Sequence, residues 1–352
     1  MESTGQERAF LLERDYRSIT GQSIPSTKAK QALSTGNPEA SLFYLVIRVT
    51  VFTQSMCQTA NCASPEAAPM HDPFKPVVEG GSVNSAEMQR VNRVKQALQQ
   101  GGVAIGAIMQ LASPELVEMA GRNGCDFVII DCEHGSFYLE GAAEMIRAAD
   151  AVGITPLVRV PNSDPSYIMR ALDSGAMGVV VPNVSTLAQT RIIVSAARYK
   201  VGDNGGSRGT CPGTRATWHQ TGNWSEFVRW SNENIMVWAL IESAAGIGNI
   251  DEILSVPMLD AIMMGAFDLA HDMGYPGESL HPKVTEALEG VVSKARDKGV
   301  AVVANFFSTS PEGMAQERNR WLAKGVRILS IGSDRRLIHS AMAKSFQAAK
   351  GA

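Results

Sequence analysis

The sequence predicts an α/β protein whose main part is a (β/α)8 barrel. Short apolar runs of about 4 to 8 residues alternate with amphipathic helical stretches from Val103 to the C-terminus. Eight strand-helix units within about 250 residues is the size expected of this barrel. The loops that follow the strands build the active site in that fold, so polar residues at the strand ends are expected to converge.

The eight apolar runs are the candidate strands of a single domain over residues 81–352. Each run is short and is followed by a stretch with helical periodicity, which is the pattern of alternating strands and helices. In chain order, the candidate strands cover residues 103–109, 127–131, 156–160, 177–182, 236–242, 261–265, 301–306 and 326–331.

Residues 1–80 differ from the barrel and predict a flexible N-terminal extension. They are rich in Ser, Thr, Gln, Pro and Ala, and their apolar patches are short and uneven. The most apolar patch, residues 42–52, contains Arg48 and is too short for a membrane helix, which needs roughly 20 apolar residues. No secretory signal is visible, and early acidic residues argue against a transit peptide, so a cytoplasmic protein is expected.

Composition narrows the class of function. The chain has 352 residues, 45% hydrophobic and 19% charged, which is enough to bury a large core. A net charge of −3 gives no electrostatic case for binding nucleic acid or an anionic membrane. The five cysteines are an odd number without a spaced framework, which favours reduced thiols in an intracellular compartment.

Two acids at strand ends indicate a divalent metal site. Glu242 closes the strand over residues 236–242, and Asp268 follows the strand over residues 261–265. Two carboxylates without a nearby cysteine suit Mg²⁺ or Mn²⁺, which take one or two protein carboxylates and leave positions for a substrate. Co²⁺ and Zn²⁺ are further candidates. A lone strand-end acid is more often a helix cap or an ion-pair partner, and that alternative stands beside the metal site.

The remaining strand ends supply a base and a cation. Asp131, Glu133 and His134 follow the second strand, and Arg159 ends the third. A metal could hold the carboxylate and ketone oxygens of pyruvate and stabilise the enolate, with Arg159 on the enolate oxygen and His134 as general base. The rival Schiff-base chemistry needs a lysine at the barrel mouth, and none of the candidate strand ends carries one.

Several segments, in the same order, resemble the HpcH/HpaI aldolase family over about residues 103–343. They are residues 127–135, 156–161, 171–182, 207–209, 241–243 and 265–270. The resemblance implies a TIM barrel of the phosphoenolpyruvate/pyruvate superfamily type. It implies a metal-dependent carbon-carbon lyase, a class II pyruvate aldolase, which cleaves or forms 4-hydroxy-2-oxo acids through a metal-bound pyruvate enolate. The substrates would be a 2-oxo acid and an aldehyde, and the assembly a homohexamer with an exchanged C-terminal helix.

The resemblance also implies roles for single residues. Glu242 and Asp268 would be the metal ligands, His134 the proton acceptor, and Arg159 the group that stabilises the transition state. Asp173 would be the carboxylate partner that raises the basicity of His134.

Further residues would act around these groups by the same resemblance. Asp131 and Glu133 would hold metal-bound water or orient the site. The backbone of Phe267 and Asp268 would contact the substrate carboxylate. Two departures from the family pattern concern substrate choice: Leu240 stands where the family commonly has Gln, and residues 265–270 read Gly-Ala-Phe-Asp-Leu-Ala instead of Gly-Pro-x-Asp-Leu-Ser.

Alternatives to the aldolase hypothesis remain open. One is a relative of macrophomate synthase, a fungal member of the superfamily that decarboxylates oxaloacetate and adds the enolate to another acceptor. A CoA-ester lyase would bring an additional C-terminal region, and a non-catalytic barrel would have lost one of the site residues. The glycine-rich residues 205–209 lack the spacing of a phosphate-binding loop and indicate a lid, from which Arg208, Arg215 and Trp218 could reach the acceptor.

Overall fold

A computed structural model describes residues 90–219 and 223–351 of the chain, which form a closed barrel of eight parallel strands. Each strand pairs with the next along the chain, and β8 pairs with β1. The predicted (β/α)8 fold is therefore confirmed. The strands are β1 Ala104–Met109, β2 Phe127–Asp131, β3 Thr155–Arg159, β4 Gly178–Val181, β5 Met236–Ile241, β6 Ala261–Met264, β7 Ala301–Asn305 and β8 Ile328–Ser333.

Helices connect the strands on the outside of the barrel. They are α1 Arg93–Gln99, α2 Pro114–Arg122, α3 Leu139–Val152, α4 Pro165–Asp173, α5 Leu187–Ala197, α6 Trp224–Asn234, α7 Ala244–Gly248, α8 Ile250–Ile253, α9 Ala266–Asp272, α10 Pro282–Asp297, α11 Pro311–Ala323 and α12 Asp334–Lys350. Many begin with a side-chain cap that accepts a backbone N–H, such as Ser113 before α2 and Asp164 before α4.

The eight predicted strands all correspond to observed strands, with small shifts at their ends. The largest shift is in β8, which begins at Ile328 and runs on to Ser333, two residues beyond the predicted end. Pairing explains the extension, because Ile108 of β1 lies opposite Ser333 after a register shift in the β1–β8 ladder.

Side chains that alternate along the strands fill the barrel interior. This inner core contains Phe127 and Ile129 of β2, and Trp238 and Leu240 of β5, and Val94 of α1 joins it. The rings of Phe127 and Trp238 meet edge to face, with their centroids 5.5 Å apart. Because the period of a strand is two residues, the next inward positions lie at the carboxyl end of the barrel. Those positions are polar, and they form the candidate active site.

The C-terminal helix α12 packs differently from the other long helices. Of its residues, Asp334 at the start is buried, whereas Met342 and Phe346 are 53% and 61% exposed. Exposed apolar side chains at positions i and i+4 form a stripe along one helix face. Among the residues that the structure describes, no helix is both long enough and apolar enough to cross a membrane.

The predicted N-terminal extension, residues 1–80, lies outside the described residues, as does the apolar patch at 42–52. Cys57 and Cys62 lie there as well. The three described cysteines, Cys125, Cys132 and Cys211, are all free thiols.

A glycine at the start of β4 gives a test of barrel packing. A Cβ on Gly178 would lie 2.7 Å from the Met236 carbonyl oxygen and 2.6 Å from Leu157 Cδ2. We expect Gly178→Ala to lower the free energy of unfolding by about 1–3 kcal/mol, because the backbone of β5 cannot move away. The measurement is urea unfolding followed by circular dichroism.

The matched control is Gly290→Ala in α10, where an added Cβ meets nothing within 4 Å. The same change there should raise the free energy of unfolding by about 0.5–1 kcal/mol, since alanine is the better helix former. Equal effects at the two positions would contradict this packing account.

Candidate active site

An ion pair between neighbouring strands lies at the centre of the polar end of the barrel. Asp131 of β2 and Arg159 of β3 are register partners, and both side chains point inward. Arg159 Nε donates to Asp131 Oδ1 at 2.8 Å, and its Nη2 donates to Asp131 Oδ2 at 2.5 Å. Asp131 is fully buried and Arg159 is nearly so. Two parallel hydrogen bonds fix the plane of the guanidinium group.

The pair stays ionised in spite of its burial. Burial alone would raise the pKa of Asp131, but the hydrogen bond and charge of Arg159 and further N–H donors outweigh it, so the pKa is lowered. Burial would lower the pKa of Arg159, yet Asp131 and the carboxylates of Glu133 and Glu242 raise it. Arg159 is therefore a permanent cation in a fixed orientation.

Asp131 also shapes the loop that carries the candidate base. Its Oδ1 accepts the backbone N–H groups of Glu133 at 3.1 Å and His134 at 3.2 Å. The carboxylate of Glu133 lies 3.2 Å from Arg159 Nη1 and 3.8 Å from His134 Nε2. The His134 side chain is 61% exposed, so its imidazole is open to a ligand.

Glu242 follows β5 and points into the same space. It is 7% exposed, and its Oε1 accepts the backbone N–H of Asn183 at 2.8 Å. Burial, together with the negative charges of Asp268 and Glu133, raises the pKa of Glu242 to about 7, against the opposing effects of Asn183 and Arg159. The carboxylate of Glu242 has more negative than positive charge around it. A cation bound nearby would stabilise its ionised form.

Asp268 lies in the first turn of α9, directly after β6. Gly265, the residue before this helix, allows the backbone at the start of α9 to lie close to Glu242. A Cβ at position 265 would be 2.5 Å from Glu242 Cβ and 2.9 Å from Glu242 Oε2. A side chain at 265 would therefore fill the space that Glu242 uses.

The donor set fits a hard divalent ion. Glu242 and Asp268 bring oxygen donors, and the described residues contain no group of three or more His, Cys, Asp or Glu side chains arranged to hold a metal. Carboxylate oxygens are the donors that hard divalent ions take. Together with Asp131 and Glu133, Glu242 and Asp268 make four carboxylates near the guanidinium of Arg159, so negative charge is in surplus.

Asp173 has a different partner from His134 within one chain. At the end of α4, it accepts a hydrogen bond from Arg208 Nη2 at 2.8 Å. Neither a hydrogen bond nor an ion pair joins Asp173 to His134 in the described part of the chain, where the carboxylate described beside the His134 imidazole belongs to Glu133.

The loop over residues 199–219 also differs from the expected lid. Arg208 is buried against the Tyr199 ring, 4.5 Å from its centroid. Arg215 pairs with Asp150 at 2.8 Å, and its guanidinium lies 3.8 Å from the Trp218 ring centroid. Both arginines that could have reached an acceptor are thus engaged in contacts of the barrel wall.

Leu240 and Phe267, which lie in the two segments that depart from the family pattern, have different surroundings. Leu240 is 2% exposed within the inner core, where it supplies no donor to the site. Phe267 is 57% exposed beside Asp268. Burial and the charges of Asp131 and Glu140 raise the pKa of the Cys132 thiol to about 12, which disfavours the thiolate that a nucleophile needs.

Four residues that contact the candidate site or its loops were not predicted from the sequence. Gln110 Nε2 donates to Asp131 Oδ2 at 2.9 Å, and Asn183 supplies the N–H to Glu242. Asp334 and Arg335, at the start of α12, bind the loops after β1 and β2. Gln110 directly follows β1, so the rule that located the acids also points to it, whereas Asn183 acts through its backbone N–H.

The sequence of this chain is similar to those of a known protein family. The model of the HpcH/HpaI aldolase/citrate lyase family matches residues 105–341. The 2-keto-3-deoxy-L-rhamnonate aldolase of Escherichia coli strain K12 is 30% identical over 252 residues, which cover 71% of this chain and 90% of that protein.

Two solved structures extend the comparison. The HpcH/HpaI aldolase from Desulfitobacterium hafniense is 29% identical with a TM-score of 0.67, over 73% of this chain and 96% of that one. Macrophomate synthase is 26% identical with a TM-score of 0.61, over 74% of this chain and 89% of that one. The predicted enzyme class, a carbon-carbon lyase, agrees with the aldolase and lyase descriptions and is confirmed. The chain belongs to the HpcH/HpaI aldolase/citrate lyase family.

Proposed function

We propose that this protein is a divalent-metal-dependent aldolase that cleaves 4-hydroxy-2-oxo acids to pyruvate and an aldehyde, and runs the condensation in reverse. The observation that carries the proposal is the fixed, buried guanidinium of Arg159 paired with the carboxylates of Asp131 and Glu133, with the accessible imidazole of His134 on the loop after the neighbouring strand β2. This arrangement combines a cation for an oxyanion with a base for a proton.

Glu242 and Asp268 would hold Mg²⁺ or Mn²⁺. The bound ion would supply Lewis acidity toward the carboxylate and ketone oxygens of the 2-oxo acid. The surplus of negative charge and the close packing of Gly265 against Glu242, which brings the start of α9 near that carboxylate, support this assignment. Backbone N–H groups of Phe267 and Asp268, in the uncapped first turn of α9, are suited to the substrate carboxylate.

Arg159 would stabilise negative charge that develops on the substrate. Two of its nitrogen atoms are bound to Asp131, while Nη1 faces Glu133 on the open side of the pair. A hydrogen bond from this side to the C2 oxygen would become stronger as the C3–C4 bond breaks and its electron pair moves toward that oxygen. Because Asp131 fixes the guanidinium beforehand, little reorganisation is needed during the reaction.

His134 would move the protons. In cleavage, it would accept the proton of the C4 hydroxyl group as the aldehyde forms, and the resulting imidazolium would donate a proton to C3 to give the methyl group of pyruvate. In condensation, the same imidazole would remove the methyl proton and donate it to the aldehyde oxygen as the C3–C4 bond forms. Glu133, rather than Asp173, is the carboxylate beside this imidazole within the chain, so we assign Glu133 to orienting it and Asp173 to holding Arg208.

Association of several copies is part of the proposal. The exposed Met342 and Phe346 on α12 form an apolar face that another copy could cover. This face supports association through α12, and the homohexamer with an exchanged C-terminal helix remains what the family resemblance implies.

Decarboxylation of oxaloacetate, followed by addition to another acceptor, is the second candidate. Structural similarity to macrophomate synthase and the apolar Leu240 beneath the site favour it. It uses the same metal, Arg159 and substrate carboxylate, but it needs no proton acceptor for an aldol hydroxyl group.

Exchange of the pyruvate methyl protons in D₂O, followed by NMR, tests the aldolase proposal. We expect exchange with Mg²⁺ or Mn²⁺, none with EDTA, and a loss of about 10²-fold or more in His134→Gln and Glu242→Gln. The two variants should differ in metal binding. Saturating Mn²⁺ should raise the melting temperature of His134→Gln as in wild type, in line with about 2.7 kcal/mol at 100 times Kd, whereas Glu242→Gln should show no such rise.

His339→Gln and Glu252→Gln, at positions outside the site, are the controls and should exchange at the wild-type rate. Exchange that persists in EDTA would refute the metal dependence, and exchange that survives in His134→Gln would refute the role of His134 as the base.

Product analysis separates the two candidate reactions. The aldolase is expected to form an aldol product from pyruvate and at least one member of a panel of hydroxyaldehydes, detected by mass spectrometry. Release of CO₂ from oxaloacetate, together with no product from pyruvate and any aldehyde, would instead favour the decarboxylase.

A further inference from the structure

The first turn of α12 binds two loops of the candidate active site. Asp334 is buried, and its two carboxylate oxygens accept the backbone N–H groups of Gln110 and Leu111, both at 3.0 Å. Arg335 donates from Nη2 to the Gln110 carbonyl oxygen at 3.1 Å. The loop after β1 is therefore held from both its N–H and its C=O side.

Arg335 also reaches the loop after β2. Its Nη1 donates to the backbone carbonyl of His134 at 3.1 Å, and its Nη2 donates to Ser136 Oγ at 3.3 Å. One side chain thus connects the start of the last helix with the loop that carries the candidate base. The helix start is itself fixed, because α12 follows β8 without an intervening loop and β8 pairs with β1.

The imidazole of His134 has few contacts of its own. It is mostly exposed, and the contact described for its ring is Glu133 at 3.8 Å. Its position in the site therefore depends on its backbone, which Asp131 holds from the N–H side and Arg335 from the C=O side.

Helix stability does not explain an arginine at this point. The first turn of a helix carries partial positive charge, so a cation there is unfavourable. Carbonyl groups of the two loops offset that repulsion by accepting the hydrogen bonds of Arg335.

We propose that Arg335 is a positioning residue, which holds the loop of residues 132–137 so that His134 faces the substrate. This inference rests on the proposed role of His134 as proton acceptor. A displacement of about 1 Å in a catalytic group can cost up to about 10²-fold in rate, so the loss of three hydrogen bonds should affect turnover more than binding.

The test compares Arg335→Ala, Arg335→Lys and the control Lys344→Ala, an exposed position further along the same helix. We expect Arg335→Ala to lower kcat for pyruvate methyl-proton exchange by about tenfold, with KM for pyruvate within about twofold of wild type. Arg335→Lys should retain part of kcat, and added guanidinium ion should restore part of it to Arg335→Ala. Lys344→Ala should behave as wild type.

Hydrogen–deuterium exchange of the backbone over residues 132–137 provides a readout that does not need activity. It should be faster in Arg335→Ala than in wild type and unchanged in Lys344→Ala. An unchanged exchange rate in this loop, or an unchanged kcat, would overturn the inference.

The two proposals fail in different ways. Absence of pyruvate exchange in the wild type would refute the aldolase function, while the backbone exchange still decides whether Arg335 holds the loop. A fall in melting temperature with kcat unchanged would show that Arg335 has only a structural role.

Discussion

The buried ion pair between Asp131 and Arg159 is the interaction on which the rest of the site depends. It forms between register partners at the ends of two neighbouring strands, where the inward row of each strand changes from apolar to polar. Removing one member would leave the other buried without its partner, which typically costs about 3–5 kcal/mol. The pair also orients Arg159 toward the space above the barrel, and through Asp131 it shapes the loop of Glu133 and His134.

Negative charge is in surplus around this pair, which favours the binding of a cation. Asp131 neutralises Arg159, but Glu133, Glu242 and Asp268 remain in the same region. A site that gathers carboxylates, and in which a glycine at position 265 lets α9 begin close to Glu242, is suited to a divalent cation and a chelating 2-oxo acid. Beneath these carboxylates the barrel is apolar, because Leu240 lies in the inner core and offers no hydrogen-bond donor.

Much of this arrangement could be predicted from the sequence, because the apolar residues recur with the periods of strands and helices. Apolar strands alternating with helices determine the barrel, and residues that follow strands must lie at one end of it, which identified Glu242, Asp131 and Arg159. Contacts made by the backbone carry no sequence signal, so the N–H of Asn183 was missed. Arg335 was missed because it begins a helix and because its partners are carbonyl groups distant in sequence. The predicted pairing of Asp173 with His134 stays a prediction; within the chain, Asp173 accepts a hydrogen bond from Arg208, a contact that no spacing in the sequence indicates.

The central claim is that Glu242 and Asp268 hold a divalent metal to which a 2-oxo acid can bind. The most direct measurement is a Mn²⁺ titration followed by electron paramagnetic resonance, on wild type, Glu242→Ala and Asp268→Ala. The account predicts one bound ion per chain in the wild type, a change in its spectrum when pyruvate is added, and loss of tight binding in both variants. Mn²⁺ binding with the same affinity and stoichiometry in all three proteins would contradict it.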